Sequence, residues 1–271
     1  MKETLKYTIL DPTGNITALV ECPVDLSRQP YAASLIMQKH TEVEQVGFVQ
    51  FCTGNTDVSL RMAGGEFCGN ASMCAAALYH IRTKDSKEKV LLRVSGAGHP
   101  VEVTLSPEEA GRFEAEILMP PALSIDHPEL TFGALSGKAA VVKMEGISHI
   151  IIPMDSPFFC LLSEREMAEK AVRSWCDQLA CDGLGLMFLD EQERLLTPLV
   201  YIPGSSTVFW ENSCASGTTA AGIYLAETNN RPVDIRFLEP GGTLNVSSDP
   251  SSRRTHLRGS VSLVETAAID L

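Results

Sequence analysis

Residues 64–74 read GGEFCGNASMC and residues 212–222 read NSCASGTTAAG. In each stretch a cysteine stands between a loop and a run of small and apolar residues that reads as a helix start. Placing Cys68 on Cys214 lays CGNASMCAAALY over CASGTTAAGIYL. Beyond each run comes a similar pair of strands, VLLRVSGAGHPVEVTL at 90–105 and VDIRFLEPGGTLNVSS at 233–248, each divided by a glycine-containing turn. The order cysteine, helix, strand, glycine turn, strand thus occurs twice, and we read it as an internal duplication. Two such cysteines point to one site built by two halves.

MPPALSIDHP at 119–128, with its prolines and turn formers, marks the junction, giving halves of 1–121 and 122–271, with the last strand free to pack back on the first half. Apolar alternation in VEVTL, FEAEILM, AAVVKM, HIIIP, LVYIP and HLRGSVSLV makes most of the rest strand. Helices are expected at QPYAASLIMQKH and at SEREMAEKAVRSWCDQLA, which has the spacing of a surface helix. The two cysteine-led helices are small or apolar almost all round, the pattern of a helix wrapped by the strands of its own half. The fold class is α/β (α+β).

At 271 residues, 44% hydrophobic and 21% charged, the chain has the composition of a globular protein. A net charge of -12 without a Lys/Arg-rich run argues against a nucleic-acid partner. The opening MKETLKYTILDPTG has no apolar stretch fit for a signal peptide, and no later stretch is long enough to span a membrane, so a cytoplasmic location is expected. The eight cysteines, Cys22, Cys52, Cys68, Cys74, Cys160, Cys176, Cys181 and Cys214, include no CxxC pair. That weakens a zinc ribbon or a thioredoxin-like motif and predicts free thiols in a reducing compartment. Neither a metal nor a cofactor is called for, and a homodimer stays open.

A thiol at a helix N-terminus meets unpaired N–H groups and the positive end of the macrodipole, which favour thiolate by about 0.3–1 kcal/mol. The same N–H groups can hold a carboxylate, and small residues after the cysteine let the backbone approach. Two such turns facing each other would grip a carboxylate and set a sulfur on each face of the adjacent carbon. That arrangement suits removal of an α-proton from one face and delivery to the other, with no cofactor. Cys74, six residues along its helix, falls on another face and reads as packing.

These motifs resemble those of the diaminopimelate epimerase superfamily, most closely the histidine racemase branch that serves staphylopine-type metallophore synthesis. The resemblance extends over PTGN at 12–15, EQVGF at 44–48, HIIIP at 149–153, YIP at 201–203, WENSC at 210–214 and PGG at 240–242. It implies two pseudo-symmetric domains, each a rolled mixed sheet around a central helix, with one active site in the cleft between them. It also implies that Cys68 and Cys214 are the acid/base pair and that Asn15 and Gln45 lie near the substrate. Gly69 and Asn70, with Ala215, Ser216 and Gly217, would offer backbone N–H groups, and Glu211 would receive the substrate ammonium.

The departures from the superfamily pattern bear on substrate. Diaminopimelate epimerases carry an ERGAGET-like stretch whose arginine helps bind the distal carboxylate, and this chain has VFWENSC instead. Their GNPH appears as Gly146, Ile147, Ser148, His149, without the asparagine. A distal charge would go unpaired, which is costly, so a smaller or aromatic amino acid is expected, histidine first. Diaminopimelate or another amino acid is the alternative substrate, and a cysteine-containing amino-acid-binding or redox protein the non-enzyme alternative. Glu66 is expected to be a solvated loop carboxylate, and His149 a structural or pocket-wall residue.

Overall fold

A computed structural model of the chain describes residues 4–52, 54–84, 87–109 and 111–271; the start of the first half, residues 1–3, lies outside them. The chain forms two compact units, Met1–Leu118 with Arg258–Leu271, and Met119–Leu257.

In the first unit β1 (Thr4–Asp11) and β2 (Thr17–Val20) are antiparallel, joined through Thr13 and Gly14, both at positive φ. A crossover through α1 (Gln29–Lys39) brings β3 (Gln45–Phe51) parallel to β2, and β4 (Val58–Met62) returns antiparallel. A second crossover, α2 (Gly69–Thr83), sets β5 (Lys89–Val94) parallel to β4. The strands β6 (Val101–Glu109) and β7 (Arg112–Leu118) then follow antiparallel. The C-terminal strand Arg254–Asp270 neighbours β7 and pairs antiparallel with β1, from Thr4 opposite Asp270 to Asp11 opposite Ser262. The result is a closed barrel of eight strands. The helix α2 touches β1 to β7 and is buried from Gly69 to Leu78. Its small side chains permit this: a helix with bulky residues all round would hold the strands too far away to close.

The second unit repeats the succession. After β8 (Ser124–Asp126) and a separate hairpin of β9 (Glu129–Phe132) and β10 (Leu135–Lys138), β11 (Ala140–Met144) and β12 (Ile147–Pro153) are antiparallel. A crossover through α3 (Arg165–Leu179) leads to β13 (Leu184–Asp190), parallel to β12, and antiparallel β14 (Leu195–Ile202) follows, with β15 (Thr207–Trp210) paired to it. The crossover α4 (Ala215–Asn229) leads to β16 (Val233–Glu239), parallel to β14, and then to antiparallel β17 (Gly242–Asp249). Ser124–Asp126, inside the proline-rich stretch read as a junction, pairs with β11.

The two kinds of helix differ as their sequences require. One stripe of α3 is buried, Ala168, Ala171, Val172, Trp175 and Cys176, with Trp175 edge-on to Phe132 and Phe158. By contrast α4 is buried continuously from Ala215 to Ile223 and touches β11, β12, β13, β16 and β17. Each unit is thus a mixed sheet rolled around its cysteine-led helix. Among the described residues no helix is long and apolar enough to cross a membrane.

Candidate active site

Cys68 is the N-cap of α2, with extended backbone (φ -135°, ψ 114°). Its Sγ accepts the N–H of Ala71 at 3.3 Å, while its S–H donates to Gln45 Oε1 at 3.0 Å. Gln45 Nε2 donates to Thr17 Oγ1 at 2.9 Å and to Asn15 Oδ1, and Asn15 Nδ2 donates to Glu44 Oε2 at 2.7 Å. The amide of Gln45 therefore cannot turn over without losing its partners, which keeps its oxygen toward the sulfur. Asn15 is 1% exposed, and since Thr13 and Gly14 make the positive-φ turn, its side chain is left for this network. The loop before Cys68 is held by the β5–β6 turn. Ser95 Oγ donates to Glu66 O at 2.8 Å, and Gly96, at φ 72°, lies so close that a Cβ would stand 2.3 Å from Phe67 N.

Cys214 is the N-cap of α4 with nearly the same backbone (φ -133°, ψ 102°). Again the following turn holds the loop: Gly241 N donates to Asn212 O at 2.7 Å. The surroundings of the sulfur are different. Ser216 Oγ lies 3.7 Å from it and 2.9 Å from Nε2 of the buried His149. Burial pushes the Cys214 thiol well above its ordinary range, and the carboxyl of Glu211, to which the thiol can donate, pushes it further. The N–H of Gly217 faces the sulfur without closing a capping bond and pulls the other way. Burial also holds His149 neutral, its pKa lowered to about 3. A Cβ on Gly217 would lie 2.1 Å from Met187 Sδ and 3.2 Å from Cys214 Sγ.

Within the first unit the structure thus gathers Asn15, Gln45 and Cys68, with Gly69 and Asn70 opening the helix. Within the second it gathers Glu211, Cys214, Ala215, Ser216 and Gly217. The first intrahelical bonds are Ser72 N to Cys68 O at 3.0 Å and Thr218 N to Cys214 O at 2.8 Å, so the N–H groups before them have no partner within their own helix ladder.

Two expectations need correction. The helix N-terminus was expected to favour thiolate at both cysteines, but at Cys214 desolvation and the Glu211 carboxyl outweigh the N–H of Gly217. Glu66 is not solvated: its Oε2 is buried, and burial raises its pKa. Sequence reasoning also passed over Glu239, whose Oε2 accepts the Cys214 N–H at 2.8 Å. A signal was present. Val233, Ile235, Phe237 and Glu239 share one phase of β16, which puts a carboxyl in line with the apolar face. Thr17 and Glu44, which complete the Gln45 network, had no comparable signal.

The fold is that of the racemases and epimerases. Over 98% of its length the chain superposes on the crystal structure of a probable proline racemase from Agrobacterium radiobacter with bound carbonate, covering 93% of that chain at 8% identity with a TM-score of 0.72. Within that class the chain belongs to the histidine racemase family: the model of the histidine racemase CntK N-terminal domain matches residues 4–269. It is 30% identical over 276 residues to the histidine racemase of Staphylococcus aureus (strain Mu50), covering 98% of this chain and 97% of that protein. To a histidine racemase of Fusobacterium nucleatum subsp. nucleatum it is 31% identical over 251 residues, 89% of this chain and 88% of the relative. The chain is an isomerase, an amino-acid racemase.

Proposed function

We propose that this racemase interconverts L-histidine and D-histidine, with Cys68 and Cys214 as a thiolate/thiol pair and no cofactor. The observation that carries the reading is the repeated device: a helix-capping cysteine in front of first-turn N–H groups, once in each unit, in a member of the histidine racemase family. One thiolate takes the α-proton, leaving its electron pair on the carbon and the adjoining carboxylate. The other thiol returns a proton to the opposite face. The N–H groups of Gly69, Asn70, Ala215, Ser216 and Gly217 would hold the carboxylate as charge builds there, and Glu211 would pair with the ammonium. Asn15 and Gln45 orient Cys68. The pair needs one thiolate and one thiol at rest. Burial and Glu211 hold the proton on Cys214, whereas Cys68 faces an amide rather than a carboxylate and is the sulfur from which the proton, now donated to Gln45, leaves more readily. VFWENSC offers no arginine for a distal carboxylate, which favours histidine over diaminopimelate. On this reading the reaction runs in the cytoplasm, as the opening stretch of the chain suggests, and D-histidine is a metallophore building block, as the resemblance implies.

The test is racemisation of L-histidine in heavy water without pyridoxal phosphate or added metal. A thiol holds one proton, so the donor has already exchanged with solvent when it delivers. Early D-histidine should carry α-deuterium while recovered L-histidine stays almost unlabelled. Early label in recovered L-histidine would overturn the two-base mechanism, and faster turnover of diaminopimelate would overturn the substrate.

A further inference from the structure

Glu239 ends β16 with 2% of its surface exposed. Its Oε2 accepts the backbone N–H of Cys214 at 2.8 Å, and its Oε1 lies 2.5 Å from Thr218 Oγ1. That hydroxyl oxygen is in turn 2.7 Å from the carbonyl oxygen of Cys214. The protons can be counted. A carbonyl only accepts, and a threonine hydroxyl carries one hydrogen. If Thr218 donates to the Cys214 carbonyl, the short contact to Glu239 needs a proton of its own, and the carboxyl is where it can reside. We infer that Glu239 is kept as a neutral carboxylic acid and is a positioning residue for Cys214, accepting its N–H directly and reaching its C=O through Thr218.

The surroundings agree. Among the described residues no ion pair reaches Glu239, and burial raises its pKa to about 8. The other titratable groups around Cys214 are Glu211 and His149, one acidic and the other held neutral by burial, so neither would compensate a second buried negative charge. A neutral acid fixes both backbone polar groups of the cysteine without opposing the thiolate that Cys214 must become when the reaction runs in reverse. An ionised Glu239 would oppose it. This assignment rests on Cys214 being a reacting thiol; the protonation state of Glu239 does not.

The experiment compares the full-length protein with its Glu239→Gln and Glu239→Leu variants. Glutamine can accept the Cys214 N–H and donate to Thr218, as the neutral acid does; leucine can do neither. In infrared difference spectra at pH 6–7, Glu239→Gln should lose the carbonyl stretch of one protonated carboxylic acid, whatever the substrate of the enzyme. Glu239→Leu should lower kcat for racemisation by about tenfold or more, the cost of stranding a buried donor, with little change in KM. Glu239→Gln should recover most of that loss and lack a decline in kcat through about pH 8 that the parent shows. If no protonated-acid band disappears, Glu239 is ionised and the proposal fails. It fails equally if the band disappears but the leucine variant turns over like the parent.

Discussion

Cys68 and Cys214 stand on nearly superimposable backbone, each the extended N-cap of a buried helix and each reached by a loop that the following β-turn holds two residues upstream. Their side-chain surroundings have little in common. Around Cys68 the acceptor is an amide, Gln45, locked by Asn15 and Thr17, with the carboxyl of Glu44 set back behind Asn15. Around Cys214 the carboxyls are adjacent: Glu211 at the thiol, Glu239 at its backbone N–H. A repeated backbone therefore does not give two equal thiols. The turn provides the place, and a few neighbours give each sulfur its own charge and burial.

The severest test of that division removes the sulfurs. Cys68→Ser or Cys214→Ser should each lower racemisation by roughly 10²–10⁴-fold, because an alcohol is a far weaker base, while Cys74→Ser, buried against Thr17, should change turnover only a few-fold. Chiral chromatography of the product measures both. Full activity in either serine variant would end the idea of complementary thiols.

A finer test makes the first half resemble the second. Gln45→Glu would place a carboxylate where Cys68 now donates to an amide, so the Cys68 proton would be held more tightly. Turnover at neutral pH should fall by about tenfold per unit of pKa displacement, with the optimum moving alkaline. A pH–rate profile unchanged from the parent would show that the acceptor at Cys68 is immaterial.

The halves also differ three residues into each helix start, where α2 has Ala71 and α4 has Gly217. Gly217→Ala would drive a methyl toward Met187 and Cys214, at a stability cost of about 1–3 kcal/mol for overpacking. Denaturant unfolding measures it. A neutral result would show that Met187 swings aside without cost.

The last contrast is in stability against pH. Glu239 keeps its proton in the folded chain until about pH 8, whereas the unfolded chain gives it up near 4.5. Its contribution is therefore full below 4.5 and drains away as pH rises through about 8. His149 runs oppositely: lowered from 6.5 to about 3, it favours the fold above 6.5 and that support is lost as pH falls toward 3. Melting temperatures across pH should sag at both ends, and Glu239→Gln should flatten only the alkaline side.

Much of this was visible in the chain itself. CGNASMCAAALY and CASGTTAAGIYL announce helices with no polar face, and each is the core of a rolled sheet. The glycine turns at Gly96 and at Gly241 and Gly242 lie where the strand pattern puts them. What could not be read were properties that depend on distant partners. Glu66 looks like any loop carboxylate until the fold covers it. The thiol of Cys214 looks dipole-activated until the fold buries it beside the carboxyl of Glu211. Asn15 and Gln45 were singled out by resemblance, but their bond to each other joins positions 30 residues apart, which no local pattern encodes.

The C-terminal strand gives the two units different histories during synthesis. Residues 119–257 are contiguous, whereas the first unit needs Arg258–Leu271 to be complete. Thr4 finds Asp270 only after all the residues between them have been made, and closing so long a loop is slow. Until then β1 and β7 are open edges, the kind of surface that invites pairing with other chains. In the order of translation, the half made first is the half finished last.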